Sequence, residues 1–211
     1  TTTLHLRAGL VSGRIYMSFE NKLDFFLAPE GLVEPAGWVE TDPNHNTLFD
    51  WVEFARDGSR FFINTTMVDM FSVPISVSVV HGGDGRPETQ GRLVTNGRNR
   101  IFDDLKAYGW GGDLIQYRDG GQLPLRAMAP VHGGVEDGSI SAGYFSSYVN
   151  DAWTYYSSTP LTVTTALGTF TGKVSGGKFV FTDAAGALVG TFSKPSTTDL
   201  LACEGGDAAR R

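Results

Sequence analysis

The chain alternates between apolar and polar residues over most of its length, which is the pattern of half-buried β-strands. Residues 12–19 (SGRIYMSF) and 22–29 (KLDFFLAP) predict two strands joined by a tight connection at Glu20 and Asn21. Residues 30–47 are rich in Pro, Gly, Asn and Asp, and they predict a loop. The first part of the chain is therefore expected to contain a hairpin followed by a long loop.

A second hairpin is predicted from residues 48–55 (LFDWVEFA) and 60–68 (RFFINTTMV), which flank the turn residues 56–59. Residues 73–81 (VPISVSVVH) predict a further strand that ends at a glycine-rich loop. From residue 160 onward, glycine-rich turns separate four short predicted strands: LTVTTAL, GTFTGKV, GGKFVFTD and GALVGTFS.

Two segments follow a helical pattern instead. Residues 99–110 (NRIFDDLKAYGW) place apolar side chains on one helical face, and Asn96 is a candidate cap before them. Residues 146–157 (SSYVNDAWTYYS) predict a second helix that begins at a serine cap. The order of elements predicts a mainly β protein, with a β-sandwich or barrel core and an appended mixed α/β portion.

This order divides the chain into three predicted parts. Residues 1–95 form a β-rich part, residues 96–158 form a mixed α/β insert, and residues 159–211 contribute strands that complete the core. The 211 residues are 41% hydrophobic and 19% charged, and 27 of them are glycine. This composition supports a sizeable core with many tight turns and few long solvated helices.

The net charge of -6 and the absence of a Lys/Arg run argue against nucleic acid and anionic membranes as partners. No apolar stretch reaches the length of a membrane span. The opening residues, TTTLHLRAGL, lack the basic and apolar regions of a signal peptide, so an exported form would already have lost its signal. The acidic composition also favours a monomer.

Two acids in the second predicted hairpin are candidates for catalysis. Glu53 and Asp69 lie sixteen residues apart, and each stands among apolar and aromatic residues. An ionised carboxylate is costly in such surroundings unless it has a partner. Two acids that face one cleft are what the hydrolysis of a glycosidic bond requires. The alternative is that both acids simply belong to the solvated face of a strand.

The surroundings of Glu53 suit a sugar. A two-residue turn at residues 57–58 would place Glu53 opposite Phe62. Strand alternation then puts an aromatic ring, an acid and two hydrogen-bonding side chains on one surface: Trp51, Glu53, Asn64 and Thr66. Sugars are recognised by such a mix, because their rings have apolar faces and their hydroxyls form directional hydrogen bonds.

A straight hairpin cannot bring Asp69 to Glu53. In the register above, Asp69 pairs with residue 46, seven positions along the ladder, which at roughly 3.3 Å per residue is more than ~20 Å. Inverting glycosidases hold their two carboxyl groups about 6.5–9.5 Å apart, and retaining ones about 5–5.5 Å. If the two acids work together, residues 60–72 must bend, bulge or cross to another strand.

Around these residues the chain resembles glycoside hydrolase family 64, the laminaripentaose-producing β-1,3-glucanases, which are related to thaumatin-like proteins. The matching segments occur in order over nearly the whole chain: SGRIYMSF, KLDFF, LVEPAGWVETDPNHNTLFDWVEF, FINTTMVDMFSVPISVSV, YVNDAWTYY and SKPSTTDLLAC. The resemblance implies a secreted enzyme with a thaumatin-like β-rich domain beside a mixed α/β portion. It also implies an open groove that binds β-1,3-glucan, with residues 96–158 forming the other wall.

The resemblance further implies an inverting mechanism, in which Glu53 is the general acid and Asp69 is the general base. Glu53 would then need a raised pKa, for which Trp51 and Phe54 are the nearby apolar groups. Asn64 and Thr66 match polar positions that would contact sugar hydroxyls. The rival interpretation is a non-catalytic, thaumatin-like protein that binds β-1,3-glucan without cleaving it.

A few residues remain open between two interpretations. Tyr148 and Trp153 would either form the base of a sugar-binding subsite or pack the second helix onto a sheet. Cys203, as a lone cysteine, predicts a free thiol, whereas the resemblance implies a disulfide with a cysteine beyond this chain. The four histidines are scattered without the spacing of metal ligands, so we expect neither a metal nor a cofactor.

Overall fold

The structure is a computed structural model, and it describes residues 9–10, 12–58, 60–65, 67–80, 83–92, 94–135 and 137–203. This part is mainly β with few helices, as the sequence predicts. The strands are β1 (Gly13–Phe19), β2 (Phe26–Ala28), β3 (Gly31–Val33), β4 (Leu48–Asp57), β5 (Arg60–Asn64), β6 (Met70–Phe71), β7 (Val77–Val80), β8 (Pro87–Gln90), β9 (Ile115–Tyr117), β10 (Pro124–Met128), β11 (Leu161–Thr165), β12 (Gly168–Ser175), β13 (Lys178–Thr182) and β14 (Leu188–Phe192). The helices are α1 (Gly97–Ala107), α2 (Ser146–Ser158) and α3 (Thr197–Ala202), with 3-10 turns at Gly109–Leu114 and Arg118–Gly120.

The chain divides into two compact units, with the boundary between Gly133 and Gly134. The first unit contains two three-stranded sheets, in the orders β1-β4-β5 and β6-β10-β9, and the pairs β2-β3 and β7-β8. The second unit contains the four-stranded sheet β11-β12-β13-β14. The boundary falls inside the segment 96–158 that the sequence assigns to an insert, and the three-part division stays a prediction.

The first predicted hairpin is wrong. Strand β1 pairs antiparallel with β4, whereas β2 pairs with β3, which lies inside the predicted loop. The reason lies in the buried Asn44, whose side chain bonds both backbone groups of Asp24 at 2.8 and 2.9 Å. The backbone N–H and C=O groups of Asp24 are therefore not available to pair with β1.

The second predicted hairpin is confirmed, but its register differs by two residues. Asp57 pairs with Arg60 next to the turn, and Gly58 has a positive φ of 55°. Glu53 consequently lies opposite Asn64 rather than opposite Phe62. A shift of two residues leaves every side chain on its predicted face, because the side-chain period of a strand is two.

The second unit agrees with its predicted elements. Its four strands form an antiparallel meander, and Trp153 and Tyr156 of α2 pack on Phe179 of β13, with ring centroids 5.6 and 5.3 Å apart. Helix α2 is preceded by Phe145 without a side-chain cap, so the predicted serine cap is wrong. Helix α3 was not predicted, although a capping box formed by Ser196 and Asp199 marks its start.

Candidate active site

Glu53 projects from the middle of β4, between Arg14 of β1 and Asn64 of β5. Both Nε and Nη2 of Arg14 lie 3.0 Å from Oε1 of Glu53. The third guanidinium nitrogen, Nη1, lies 2.8 Å from Oε2 of Glu34. Arg14 thus joins two carboxylates, and among the described residues none bonds the second oxygen, Oε2, of Glu53.

Trp51 lies on the same face of β4 but is not an open platform for a sugar ring. Its side chain is 4% exposed and belongs to a core cluster with Phe49 and Met70. The Arg14 guanidinium covers the indole, with its central carbon 5.1 Å from the ring centroid. The predicted stacking role of Trp51 therefore does not fit this structure, because stacking requires an accessible ring face.

Tyr16 completes this face of the sheet. It lies opposite Trp51, and the two ring centroids are 5.6 Å apart. Burial raises the pKa of the Tyr16 phenol to about 12, despite the positive charge of Arg14 beside it. The phenol is therefore neutral at physiological pH and does not compete with Glu53 as an acid.

Asn64, the last residue of β5, is exposed directly across from Glu53, where the two side chains share one face. This position keeps Asn64 as a candidate for contact with a sugar hydroxyl beside the acid. Thr66, the next residue of the predicted polar row, lies outside the described residues. Its predicted role stays a prediction.

Asp69 leaves the hairpin, as the predicted bend or crossing between residues 60 and 72 requires. Strand β5 ends at Asn64, and the chain then enters the other three-stranded sheet, where β6 pairs with β10. The backbone oxygen of Asp69 accepts the N–H of Ala129 at 2.8 Å, which extends this pairing by one residue. The acid is therefore fixed at the entrance to a different sheet from the one that holds Glu53.

The side chain of Asp69 contacts a histidine. Nε2 of His132 lies 3.1 Å from Oδ1 of Asp69, and the two side chains are 22% and 27% exposed. Trp38 stacks on the imidazole of His132, with ring centroids 4.4 Å apart and planes inclined by 17°. Among the described residues, none bonds the second oxygen, Oδ2, of Asp69.

Both acids are attached to the same core cluster. Trp51 precedes Glu53 by two positions on β4, Met70 follows Asp69 directly, and Trp51 and Met70 pack in that cluster. Trp38 packs against the same cluster from the loop before β4. The cluster therefore ties both acids to one region of the first unit.

Asp50 braces the segment that follows Asp69. Its carboxylate is 2% exposed and accepts the backbone N–H groups of Ser72 and Val73 at 2.9 and 3.0 Å. Burial raises the pKa of Asp50, and these bonds, together with one from the N–H of Trp51, act in the opposite direction. The side chain therefore bonds β4 to the residues just beyond β6.

Arg126 of β10 organises the long loop before β4. Its side chain is fully buried and donates to the backbone oxygens of Gly37, His45 and Thr47. Burial lowers the pKa of Arg126 to about 10, against the opposing effect of the nearby carboxylates, so the group stays charged at neutral pH. The loop that carries Trp38 is consequently held by a fixed, buried cation.

The partners of the two acids were not predicted from the sequence. Arg14, Trp38 and His132 come from distant parts of the chain, and no motif marks them. The one local signal is Gly37, where a Cβ would collide with the guanidinium of Arg126. A glycine beside an aromatic residue in a loop is a signal that another group packs closely against the backbone at that position.

Two predicted sugar-binding residues belong to the second unit. The indole N–H of Trp153 donates to the oxygen of Gly177 at 3.1 Å, and its ring packs on Phe179. Trp153 therefore packs α2 on its sheet. Tyr148 is 71% exposed on the same helix and stays a candidate for contact with a ligand.

Metal ligands, membrane spans and the cysteine are considered next, for the described part of the chain. It contains no group of three or more His, Cys, Asp or Glu residues that could hold a metal ion. No helix within it is long and apolar enough to cross a membrane. Cys203 is exposed, and its pairing stays a prediction.

Comparison with known proteins identifies the family. A sequence model of the β-1,3-glucanases, glycoside hydrolase family 64, matches residues 1–211. The chain belongs to glycoside hydrolase family 64. The family 64 resemblance that the sequence segments indicate is thus confirmed.

Similar proteins include a glucan endo-1,3-β-glucosidase of Arthrobacter sp. (strain YCWD3), 36% identical over 203 residues, which are 94% of this chain and 36% of the relative. A laminaripentaose-producing β-1,3-glucanase solved with laminaritetraose superimposes with a TM-score of 0.82 and 42% identity, over 90% of this chain and 53% of that one. A family 64 glucanase domain from Clostridium beijerinckii gives a TM-score of 0.74 and 30% identity, over 92% and 53%. This family 64 chain thus spans about a third of the curated relative and about half of each solved chain.

Proposed function

We propose that this family 64 chain carries the hydrolytic site of a β-1,3-glucanase that cleaves with inversion, with Glu53 as the general acid and Asp69 as the general base. One observation carries the proposal. Each acid has one carboxylate oxygen bonded to a basic side chain and a second oxygen that no described residue bonds. The names of the similar glucanases support β-1,3-glucan as the substrate.

In the proposed reaction, Glu53 donates a proton from Oε2 to the glycosidic oxygen as the bond from C1 to that oxygen breaks. Oδ2 of Asp69 takes a proton from a water molecule, whose oxygen attacks C1 from the opposite face. Arg14 stabilises the Glu53 carboxylate that remains after proton donation. While Glu53 is protonated, Glu34 neutralises Arg14. Exchange of protons with solvent then resets both acids.

The test is the hydrolysis of a linear β-1,3-glucan by the full chain and by Glu53→Gln and Asp69→Asn. Both variants should lose activity by about 10³-fold or more, since each removes one of the two proton transfers. Asp57→Asn is the matched control, because Asp57 pairs with Arg60 on the exposed hairpin turn. Near-normal hydrolysis by either acid variant, with the control also active, would refute the assignment.

One observation favours a second function, the binding of glucan without cleavage. The ion pair with Arg14 stabilises a charged Glu53 carboxylate, which would serve as a hydrogen-bond acceptor for sugar hydroxyls. In that case the full chain would bind laminarin in a pull-down assay but release no oligosaccharide. The enzyme proposal requires both binding and release.

We further propose that this mainly β chain contains a thaumatin-like core, that Asn64, Thr66 and Tyr148 contact sugar hydroxyls, and that the protein is a secreted monomer. The resemblance of the sequence segments supports the domain type. A polymeric substrate supports secretion, because such a polymer does not cross membranes. Light scattering after size-exclusion chromatography tests the monomer, since a mass twice that of the chain would contradict it.

A further inference from the structure

Asp69 is held at two points by the turn that follows β10. Its backbone oxygen accepts the N–H of Ala129 at 2.8 Å, and the oxygen of Ala129 accepts the N–H of His132 at 2.9 Å. Nε2 of the His132 side chain lies 3.1 Å from Oδ1 of the same Asp69. Ala129 therefore fixes both the backbone of Asp69 and the turn that presents its partner.

The contact between His132 and Asp69 has a defined direction. As the proposed general base, Asp69 is ionised and can only accept hydrogen bonds, so we assign the hydrogen to Nε2 of His132, which donates it to Oδ1. The bond fixes one oxygen of Asp69, while no described residue bonds Oδ2. A general base needs this arrangement, with one oxygen anchored and the other able to reach a water molecule.

Trp38 fixes the plane of the imidazole. Its ring stacks on His132 with an inclination of 17°. Directly before it, the oxygen of Gly37 accepts from the guanidinium of Arg126, and Arg126 is fully buried. Trp38 also packs against the core cluster. The ring that supports His132 is therefore held by the cluster and, through the backbone of Gly37, by Arg126.

We propose that His132, held in its plane by Trp38, is the positioning residue for the general base Asp69. The inference rests on the proposed function, because it assigns His132 a role through Asp69. His132 acts on the orientation of the carboxylate and does not itself take the proton of the attacking water. Its removal should therefore lower kcat and leave substrate binding nearly unchanged.

The first experiment compares His132→Ala with the native chain on a linear β-1,3-glucan. We expect kcat to fall roughly 10²-fold, the size of effect that a misplaced reacting group produces, while KM changes by less than about 3-fold. Added imidazole should restore activity in a saturable way by occupying the space on Trp38. His45→Ala is the matched control, because His45 is half-buried in the same unit and contacts Gln116 instead of an acid.

Conservative variants separate positioning from folding. His132→Gln retains an N–H donor and should keep more activity than His132→Ala, by about 5-fold or more. Trp38→Phe preserves a stacking ring, whereas Trp38→Leu removes it, so Trp38→Leu should show the lower kcat. If His132→Ala does not fold, His132→Gln and the Trp38 pair decide the question, and equal kcat in both Trp38 variants would argue against the inference.

A double-mutant cycle with Asp69→Asn distinguishes failure of the inference from failure of the proposed function. If His132 acts through Asp69, adding His132→Ala to Asp69→Asn should cost no further activity. Native kcat in a folded His132→Ala variant, beside an inactive Asp69→Asn variant, would overturn the inference and leave the proposed function standing. An active Asp69→Asn variant would overturn both.

Discussion

Arg14 and Glu53 occupy directly opposite positions on β1 and β4, and two guanidinium nitrogens of Arg14 lie 3.0 Å from one oxygen of Glu53. The pair exists because β1 pairs with a strand that begins almost thirty residues after β1 ends. Glu34 shares the same guanidinium at 2.8 Å. The candidate acid is therefore part of a group of three charges and is not an isolated carboxylate.

Replacing Arg14 with Lys keeps the positive charge but removes the planar set of donors that joins Glu53 to Glu34. We expect kcat/KM to fall about 10- to 100-fold, the equivalent of losing one hydrogen bond to a charged group. Steady-state kinetics on laminarin measure the effect. Arg60→Lys, in the exposed pair with Asp57, should stay within about 2-fold of the native value.

Trp51 should behave as a core residue and not as a sugar platform. Trp51→Ala is expected to lower the free energy of unfolding by about 3–5 kcal/mol, because it empties a packed site in the cluster with Phe49 and Met70. Urea unfolding measures this loss. Phe62→Ala, at a position 56% exposed on β5, should cost less than about 1 kcal/mol. A stable Trp51→Ala variant with a strongly raised KM would support the platform instead.

Asp50 should matter for stability and, through the segment after β6, for activity. Asp50→Ala leaves the N–H groups of Ser72 and Val73 without their acceptor, at a cost of about 3 kcal/mol or more in the free energy of unfolding. Asp183→Ala is a matched control, since Asp183 also accepts two backbone N–H groups but lies in an exposed turn. Equal losses for both variants would contradict the bracing role.

Tyr16 gives a pH dependence with a definite sign. Its phenol ionises near pH 10 in the unfolded chain, whereas burial raises its pKa to about 12 in the folded protein. The folded state retains the proton longer, so the contribution of Tyr16 to stability is present below pH 10 and is lost as the pH rises towards 12. Urea unfolding at pH 9 and pH 11 should show a steeper decline for the native chain than for Tyr16→Phe. Tyr155→Phe, at an exposed position on α2, should decline like the native chain.

Much of the fold could be predicted from strand alternation and from the residues at the turns. They predict the β4–β5 hairpin, the four C-terminal strands and helices close to α1 and α2, because these elements form through neighbouring residues. The same arithmetic predicts that the chain leaves the hairpin before Asp69, which the pairing of β6 with β10 confirms. That prediction depends only on the rise per residue of a strand and on the distance between the two catalytic carboxyl groups of a glycosidase.

The partner of β1 and the partners of the acids could not be predicted in the same way. Strand β1 pairs with β4, which begins almost thirty residues after β1 ends, and the buried side chain of Asn44 bonds the backbone of Asp24 twenty positions away in sequence. The contact of His132 with Asp69 spans 63 positions. Such contacts are products of tertiary packing, and neither periodicity nor a local motif records them.

The roles of Glu53 and Asp69 are tested most directly by the anomeric configuration of the first product. Proton NMR measures it during hydrolysis of a linear β-1,3-glucan by the full chain. If Asp69 is a base that activates water, the configuration at C1 is inverted. We therefore expect the α-anomer to appear first and the β-anomer to follow by mutarotation. Initial release of the β-anomer would contradict the roles of Glu53 and Asp69.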